Sequence, residues 1–230
     1  MKKHIVAIGG GGFGKKNSSY LIEEYILNLS EKKIPKICFL PTASGDDDTY
    51  IVRFYSIFTR LNCIPSHIEF FNRTTDIHNH IMKQDVVFVG GGNTKSMLAI
   101  WNDWGMNKLL KEAYNEGVIM SGVSAGAICW FNHGITDSWD NELRILPCLD
   151  FIRGTCCPHY DEEPSRIPYV KKILLEEKVT NCISIEGGSA MHFIDGQPFK
   201  NISFKNNKNT YNVFLDNNGV VENPFEKIQL

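Results

Sequence analysis

The chain has 230 residues, of which 43% are hydrophobic and 22% are charged, and its formal net charge is −2. This is the composition of an ordinary globular protein, and it excludes the strongly basic face of a typical nucleic-acid binder. No apolar run approaches the roughly 18 residues of a membrane span, and residues 5–8 lead into glycines rather than into a signal-peptide core. We therefore expect a single domain over residues 1–230, in the cytoplasm, with no nucleic-acid or membrane partner.

Strand-like and helix-like segments alternate along the first half of the chain. Short apolar segments, typical of buried parallel strands, lie at residues 5–8, 36–40, 68–71, 85–89 and 118–120. Helical patterns lie between them, at residues 18–29, 50–61, 77–83, 94–101 and 106–115. This alternation predicts an α/β fold with a parallel sheet flanked by helices. A helix at residues 171–177 and short strands at residues 182–185, 191–194, 202–204, 211–215 and 220–221 predict an antiparallel C-terminal extension.

The cysteines and the paired histidines give no sign of a metal site. The seven cysteines form no paired framework and contain no C-x-x-C spacing. His78 and His80 are two residues apart on a predicted helix and so do not share a face. We expect free thiols, no metal and no cofactor.

The most informative segment is Gly122-Val123-Ser124-Ala125-Gly126, which follows a predicted strand and precedes a small-residue helix. A G-x-S-x-G sequence in this setting predicts a nucleophile elbow, a tight turn that needs small neighbours around the serine. The start of the following helix would present backbone N–H groups to a developing oxyanion. The alternative is a tight strand–helix turn that binds phosphate or only packs. We interpret Ser124 as a nucleophile.

A serine nucleophile needs a base, usually a histidine that a carboxylate orients. His159 is the best candidate because it lies just after a predicted strand end, and His133 is the second choice. The carboxylate is Glu186, which precedes a Gly-Gly turn, or Asp137, which follows the elbow helix; spacing alone leaves both open. The order serine, histidine, acid differs from the order in α/β-hydrolases and predicts a different fold.

Two glycine-rich loops follow predicted strands. Gly90, Gly91 and Gly92 precede Asn93, and a loop at the C-terminal end of a parallel strand is expected to line the same crevice as Ser124. One of its N–H groups would join that of Ala125 in an oxyanion hole; a ligand-free tight turn is the alternative. Residues 9–14 fit G-x-G-x-x-G, but the second strand lacks the acidic residue of a dinucleotide site. A close backbone approach at the crevice floor explains these glycines better.

Four blocks together resemble peptidase family S51, the family of peptidase E and cyanophycinase. They are residues 89–94, residues 122–127, Pro158-His159-Tyr160 and residues 185–190, in family order. The resemblance implies a flavodoxin-like, class I glutamine amidotransferase-like fold. It also implies Ser124 as nucleophile, His159 as base, Gly92 and Ala125 as oxyanion donors, and Glu186 as the triad acid, with Asp137 still a candidate. Gly91 and Asn93 belong to the same predicted substrate-binding loop.

The function expected from these motifs is a serine peptidase that acts on short peptides as an exopeptidase or dipeptidase. An acidic substrate side chain would need a cation; Arg166, Lys171 and Lys172 follow His159, and the sequence assigns the role to none of them. The alternatives are a hydrolase of non-peptide acyl or amide substrates, and an inactive small-ligand-binding protein on the same fold. The sequence leaves open whether the protein is a monomer or a homodimer.

Overall fold

The structure is a computed structural model that describes residues 2–14, 20–140 and 142–230. The described strands are β1 (His4–Ile8), β2 (Lys36–Leu40), β3 (Ile64–His67), β4 (Val86–Val89), β5 (Ile119–Val123), β6 (Phe131–Thr136), β7 (Arg144–Pro147), β8 (Ile152–Cys157), β9 (Asn181–Ile185), β10 (Ser189–Ile194), β11 (Gln197–Ser203), β12 (Thr210–Asp216), β13 (Gly219–Pro224) and β14 (Lys227–Gln229). The described α-helices are α1 (Leu21–Leu27), α2 (Asp48–Phe58), α3 (Ile77–Met82), α4 (Thr94–Asp103), α5 (Met106–Asn115), α6 (Ala125–Ile128) and α7 (Arg166–Leu175). Short 3-10 helices lie at Gly12–Gly14 and Thr42–Ser44.

The larger sheet has eight strands in the order β14-β11-β10-β1-β5-β4-β2-β3. Strands β1, β5, β4, β2 and β3 are mutually parallel, as the alternation of short apolar strands and helices predicts. Their carboxyl ends meet along one edge, where Ile8, Leu40, Val89 and Val123 are the last residues of their strands. Ligand sites in such sheets lie outside this edge.

Both faces of the larger sheet are buried, which explains its nearly continuous apolar strands. In β1 the side chains of Ile5 and Ala7 belong to one core cluster, and those of Val6 and Ile8 belong to the other. Residues of α1 and α2 cover the second face. The first face packs against α4, α5, α6 and a second sheet.

The second sheet has six strands in the order β13-β12-β9-β8-β6-β7. Its centre is parallel, because β6 pairs with β8 and β8 pairs with β9 in parallel, while β7, β12 and β13 pair antiparallel. The predicted antiparallel extension is therefore divided: β10 and β11 extend the larger sheet from β1, and β12 and β13 extend the smaller one.

Several predicted boundaries differ from the structure. The third strand is Ile64–His67 and not residues 68–71. It contains Pro65, which has no N–H to donate and would disrupt a central strand, and the proline is tolerated because β3 lies at the edge of the sheet. The last helix begins at Arg166 and not at residue 171. Of the helix predicted at residues 18–29, Leu21–Leu27 is helical, and residues 18 and 19 lie outside the described residues. Strands β6 and β7 and the bounds of β8 are absent from the predicted elements, although a strand end before His159 is expected, because glycines and polar residues mask the pattern.

All seven cysteines are free, as the sequence predicts. Five of them are buried, and burial raises their thiol pKa, to about 12 for Cys38 and Cys157. Within the described residues, no helix is both long and apolar enough to cross a membrane.

Candidate active site

Ser124 lies in the turn between β5 and α6, in a backbone conformation that serine rarely adopts, with φ of 57° and ψ of −110°. Its amide donates to the carbonyl oxygen of Ile8 at 3.0 Å, which ties the turn to the end of β1. Its own carbonyl accepts the amides of Ala127 and Ile128 and so begins α6. The strain and the position after a buried strand are those of a nucleophile elbow.

Close backbone packing around Ser124 leaves no room for a side chain at Gly122 or Gly126. A Cβ added to Gly122 would lie 2.3 Å from the carbonyl oxygen of Gly126, and a Cβ on Gly126 would lie 2.2 Å from that of Val89 in β4. Both distances are far below normal contact. The glycines therefore allow α6 to pack directly against β4 and β5, as the G-x-S-x-G spacing suggests.

His159 connects the serine hydroxyl to a carboxylate. Its Nε2 lies 2.9 Å from Oγ of Ser124, and its Nδ1 lies 2.6 Å from Oε2 of Glu162. A proton on Nδ1 donates to the carboxylate, and Nε2 is then the acceptor for the serine O–H. The histidine and glutamate side chains are 20% and 27% exposed, so both remain accessible from the cleft.

Two distant glycines make room for the His159–Glu162 pair. A Cβ on Gly10 would lie 2.5 Å from Oε2 of Glu162 and 2.8 Å from Nδ1 of His159. A Cβ on Gly187 would lie 2.1 Å from the carboxyl carbon of Glu162. The glycines at residues 9 and 10 thus serve a close backbone approach, since a Cβ on Gly9 would also collide with the carbonyl oxygens of Ile185 and Glu186.

Neither Glu186 nor Asp137, the two predicted orienting acids, contacts His159 in this structure, where Glu162 lies at Nδ1. Glu186 turns toward the other side of its loop, where its carboxylate accepts the amide of Asn209 at 2.8 Å and the hydroxyl of Tyr211 at 3.4 Å. Asp137 follows β6 as an exposed residue, and its charge acts on Arg166. The residue that sequence reasoning missed is Glu162. Its signal is the His-x-x-Glu spacing, which a single turn after β8 converts into a direct hydrogen bond.

The loop after β4 lies beside the serine. A Cβ on Gly91 would be 3.5 Å from Cβ of Ser124, so the backbone of this residue borders the nucleophile. Gly92 has φ of 141°, and a Cβ there would lie 2.1 Å from the carbonyl oxygen of Ala43. Among the described residues, neither the amide of Gly92 nor that of Ala125 donates a hydrogen bond to another residue. These two N–H groups are available to a ligand.

Gly91 and Asn93 have other partners. The amide of Gly91 donates to the hydroxyl of Tyr50 at 3.4 Å. The amide of Asn93 donates to the carbonyl of Ala43 at 2.7 Å, and its side chain accepts the amide of Ser96 as the N-cap of α4. Asn93, predicted as part of the substrate-binding loop, therefore holds that loop and starts α4.

A cleft of about 320 Å³ opens in front of the serine. It is lined by residues of the glycine loops, of α2 with its N-cap, and of the elbow: Gly11, Asp47, Thr49, Tyr50, Arg53, Gly91, Val123, Ser124 and His159. Of the described lining residues, Arg53 carries a guanidinium group and Asp47 a carboxylate.

The cations considered after His159 lie elsewhere. Arg166 is 3% exposed, donates to Glu163 and to the carbonyl of Ile135, and has a raised pKa; burial opposes that rise, while Cys157 and Glu163 cause it. Lys171 pairs with Glu222 at 3.0 Å. Neither they nor Lys172 lines the cleft. His133, the second candidate base, is exposed on β6 and lines a different crevice.

The sequence model of peptidase family S51 matches residues 5–200 of the chain. The uncharacterized peptidase YgaJ of Bacillus subtilis is 42% identical over 223 residues, which cover 96% of each chain. The uncharacterized peptidase Lmo0363 of Listeria monocytogenes is 25% identical over 165 residues, 68% of this chain and 78% of that protein.

Two solved structures share the fold. A protein of Listeria monocytogenes, named as a candidate peptidase E, superposes with a TM-score of 0.61 at 18% identity, over 98% of this chain and 100% of that one. A peptidase from an acI-B1 Actinobacterium superposes with a TM-score of 0.68 at 15% identity, over 99% and 95% of the two chains. The predicted class I glutamine amidotransferase-like α/β fold is confirmed. With the family match over most of its length, the chain belongs to peptidase family S51.

Proposed function

We propose that this peptidase is a serine-type enzyme that hydrolyses short peptides with Ser124 as nucleophile, His159 as base and Glu162 as the orienting acid. The observation that carries the proposal is the continuous hydrogen-bonded series from Oγ of Ser124 through the imidazole of His159 to the Glu162 carboxylate. The strained elbow that presents the serine supports it.

The geometry supplies each proton transfer. Nε2 of His159 accepts the proton of Ser124 Oγ as the oxygen attacks the scissile carbonyl carbon. The imidazolium that forms is stabilised by the Glu162 carboxylate at Nδ1, and it then protonates the leaving amine. A water molecule, deprotonated by the same imidazole, attacks the acyl-enzyme and releases the acid product.

The developing oxyanion would be held by the amides of Gly92 and Ala125. Preorganised N–H donors of this kind stabilise the tetrahedral intermediate because they are already oriented before the charge appears. The position of Gly92 requires glycine, since its φ is 141° and a Cβ there would lie 2.1 Å from the carbonyl oxygen of Ala43. The amide of Asn93 is held by Ala43, which keeps the whole loop in position.

The cleft favours a short substrate with charged ends. At about 320 Å³ it is of the size that encloses small ligands rather than a folded polypeptide. Arg53 and Asp47 place a cation and a carboxylate on one wall, in front of the nucleophile. Those groups suit a carboxylate and an ammonium group of a dipeptide or tripeptide, which would make the enzyme an exopeptidase.

Labelling by a fluorophosphonate probe, together with cleavage of a dipeptide panel that varies the charge at each end, tests this function. We expect the wild-type protein to label, and Ser124→Ala and His159→Ala to lose labelling. We expect Glu162→Gln to slow it by about a thousandfold or more, because the imidazole loses its orienting anion. Glu186→Gln and Asp137→Asn are the matched controls, and their labelling rates should stay near that of the wild type.

Other outcomes would point to the alternative functions. Labelling without cleavage of any peptide, but with cleavage of simple esters or amides, would assign the site to a non-peptide hydrolase. A wild-type protein that neither labels nor cleaves, yet is thermally stabilised by small carboxylates or phosphates, would be a ligand-binding member of the family. Slow labelling in Glu186→Gln with normal labelling in Glu162→Gln would reverse the assignment of the acid.

A further inference from the structure

The turn that carries His159 and Glu162 is tied to the rest of the molecule through three consecutive residues. The amide of His159 donates to the carbonyl of Gly9 at 3.0 Å, and the amide of Tyr160 donates to that of Ile185 at 3.1 Å. The carboxylate of Asp161 accepts the amide of Gly187 at 2.8 Å. His159 itself has a positive φ of 52°, so the turn needs such ties to hold its conformation.

Asp161 also pairs with a lysine from a distant part of the chain. Its second oxygen contacts Nζ of Lys208, which lies in the loop between β11 and β12. The two side chains are 32% (lysine) and 21% (aspartate) exposed. The hydrogen bond with Asp161 is the main cause that raises the pKa of Lys208, and the charges of Asp161, Glu186 and Glu162 add to it. The ammonium group therefore pairs with Asp161, and the charges of Glu186 and Glu162 act on it without a direct contact.

Glu186 secures the loop that presents this lysine. Its amide donates to the carbonyl of Asn209 at 3.1 Å, and its carboxylate accepts the amide of Asn209 at 2.8 Å. This reciprocal pair fixes the residue next to Lys208. The segment Glu186-Gly187-Gly188 therefore borders this region at two places. Gly187 lies beside Glu162, and Glu186 binds Asn209, the residue next to Lys208.

We propose that Lys208 is a positioning residue for the reaction: its ammonium group holds Asp161, and with it the His159–Glu162 turn, and compensates the negative charge around Glu162. The inference rests on the proposed function, since it assigns a role in orienting the proposed triad. Lys205, which packs against Gly188 in the same loop, is a further charged group near this cluster.

The effect should fall on the reaction and not on the fold. A partly exposed ion pair contributes little to stability. The Glu162–His159 hydrogen bond of 2.6 Å and the serine contact of 2.9 Å are short and directional, and small displacements of such groups slow catalysis strongly. Without the lysine, the carboxylates of Asp161, Glu186 and Glu162 also lose a cation that acts on all three. The loss of a cation raises the pH at which neighbouring groups bind a proton.

The test is the rate of fluorophosphonate labelling of full-length Lys208→Met and Lys208→Arg as a function of pH. We expect the methionine variant to label about ten- to a hundredfold more slowly at neutral pH, with the acid limb of its profile moved to higher pH. The arginine variant should recover most of the rate. Lys32→Met, which removes an ion pair with Asp85 at the amino ends of β2 and β4, is the matched control and should behave as the wild type.

Asp161→Asn provides an independent second variant, because it can still accept the Gly187 amide while losing the charge that Lys208 binds. We expect it to slow labelling as Lys208→Met does, with no further loss in the double variant. Unchanged rates and pH profiles in both single variants would overturn the inference. That result differs from failure of the proposed function, in which the wild-type protein itself would not label.

Discussion

At the scale of single residues, Ser124 combines a hydroxyl that faces His159 with backbone strain. The φ of 57° and ψ of −110° at Ser124 lie in a region that residues with a Cβ rarely occupy, at a cost of about 1–3 kcal/mol. The bonds to Ile8 and into α6 hold it there. The strain keeps Oγ facing the cleft and His159.

This strain predicts an unusual order of stability. In most positions glycine is less stable than alanine by roughly 0.5–1 kcal/mol. At this position Ser124→Gly should be more stable than Ser124→Ala by about 1 kcal/mol, because glycine relieves the strained conformation and alanine retains it. Urea unfolding of the two inactive variants measures the difference. If glycine proves the less stable, the elbow is not strained.

At the scale of the elements, the site depends on how strand ends and helix starts are joined. The loop from Gly90 to Asn93 is short, and its last residue caps α4 by accepting the amide of Ser96 at 2.9 Å. The same side chain donates to the carbonyl of Ser138, in the segment between β6 and β7. Asn93 thus connects the oxyanion loop, a helix and the second sheet, although it offers no donor to the reaction.

We therefore expect Asn93→Ala to lower the free energy of unfolding by about 1 kcal/mol through loss of the cap, and to slow labelling because Gly92 is its neighbour. Asn93→Asp keeps the acceptor and should retain most of the stability. Chemical denaturation and labelling rates check both effects. Ser165→Ala is the control, since Ser165 occupies the N-cap position of α7 without a capping side-chain hydrogen bond. An equal loss in that control would show that capping is not the cause.

At the scale of the whole molecule, two buried ionisable groups make stability depend on pH in opposite directions. Glu23 is fully buried, and one carboxylate oxygen accepts the amide of Phe13 at 2.6 Å while the other has no partner among the described residues. Burial raises its pKa to about 7. His192 is 1% exposed and hydrogen-bonds to His4 and Tyr25; burial lowers its pKa to about 4.

The signs follow from which state binds the proton. Between pH 4.5 and about 7 the folded state retains a proton on Glu23 that the unfolded state has lost, so this group destabilises the fold as pH rises, by about 3 kcal/mol in all. Between pH 6.5 and about 4 the unfolded state protonates His192 and the folded state does not, so that group destabilises the fold by a similar amount as pH falls. Between pH 4.5 and pH 6.5, where both groups contribute, their effects on the pH dependence of stability have opposite signs.

Glu23→Gln should expose this balance. The amide keeps the acceptor for Phe13 and does not ionise, so the melting temperature of the variant relative to the wild type should increase from pH 5 to pH 8. Thermal melts across this range measure it. His192→Asn should instead reduce the loss of stability toward pH 4. A difference between Glu23→Gln and wild type that does not change with pH would show that the carboxyl is not the titrating group.

Much of this protein is encoded locally, in consecutive residues. Short apolar strands between amphipathic helices determined the parallel sheet, because a strand buried on both faces needs apolar residues throughout. The glycines around Ser124 determined the elbow, since only small residues fit there. The segment Pro158-His159-Tyr160 after a strand indicated the histidine that contacts Ser124, and the four blocks together identified the family.

The tertiary structure decided the rest, because it depends on segments that are distant in sequence. The second sheet assembles from strands whose polar and glycine residues hide their pattern. Glu162 and not Glu186 contacts His159 because the carboxyl ends of β1, β8 and β9 bring Gly10, His159 and Gly187 together. Where these strand ends meet, the absence of side chains at Gly10 and Gly187 leaves room for the Glu162 carboxylate at Nδ1 of His159. The Glu186 carboxylate instead accepts the amide of Asn209.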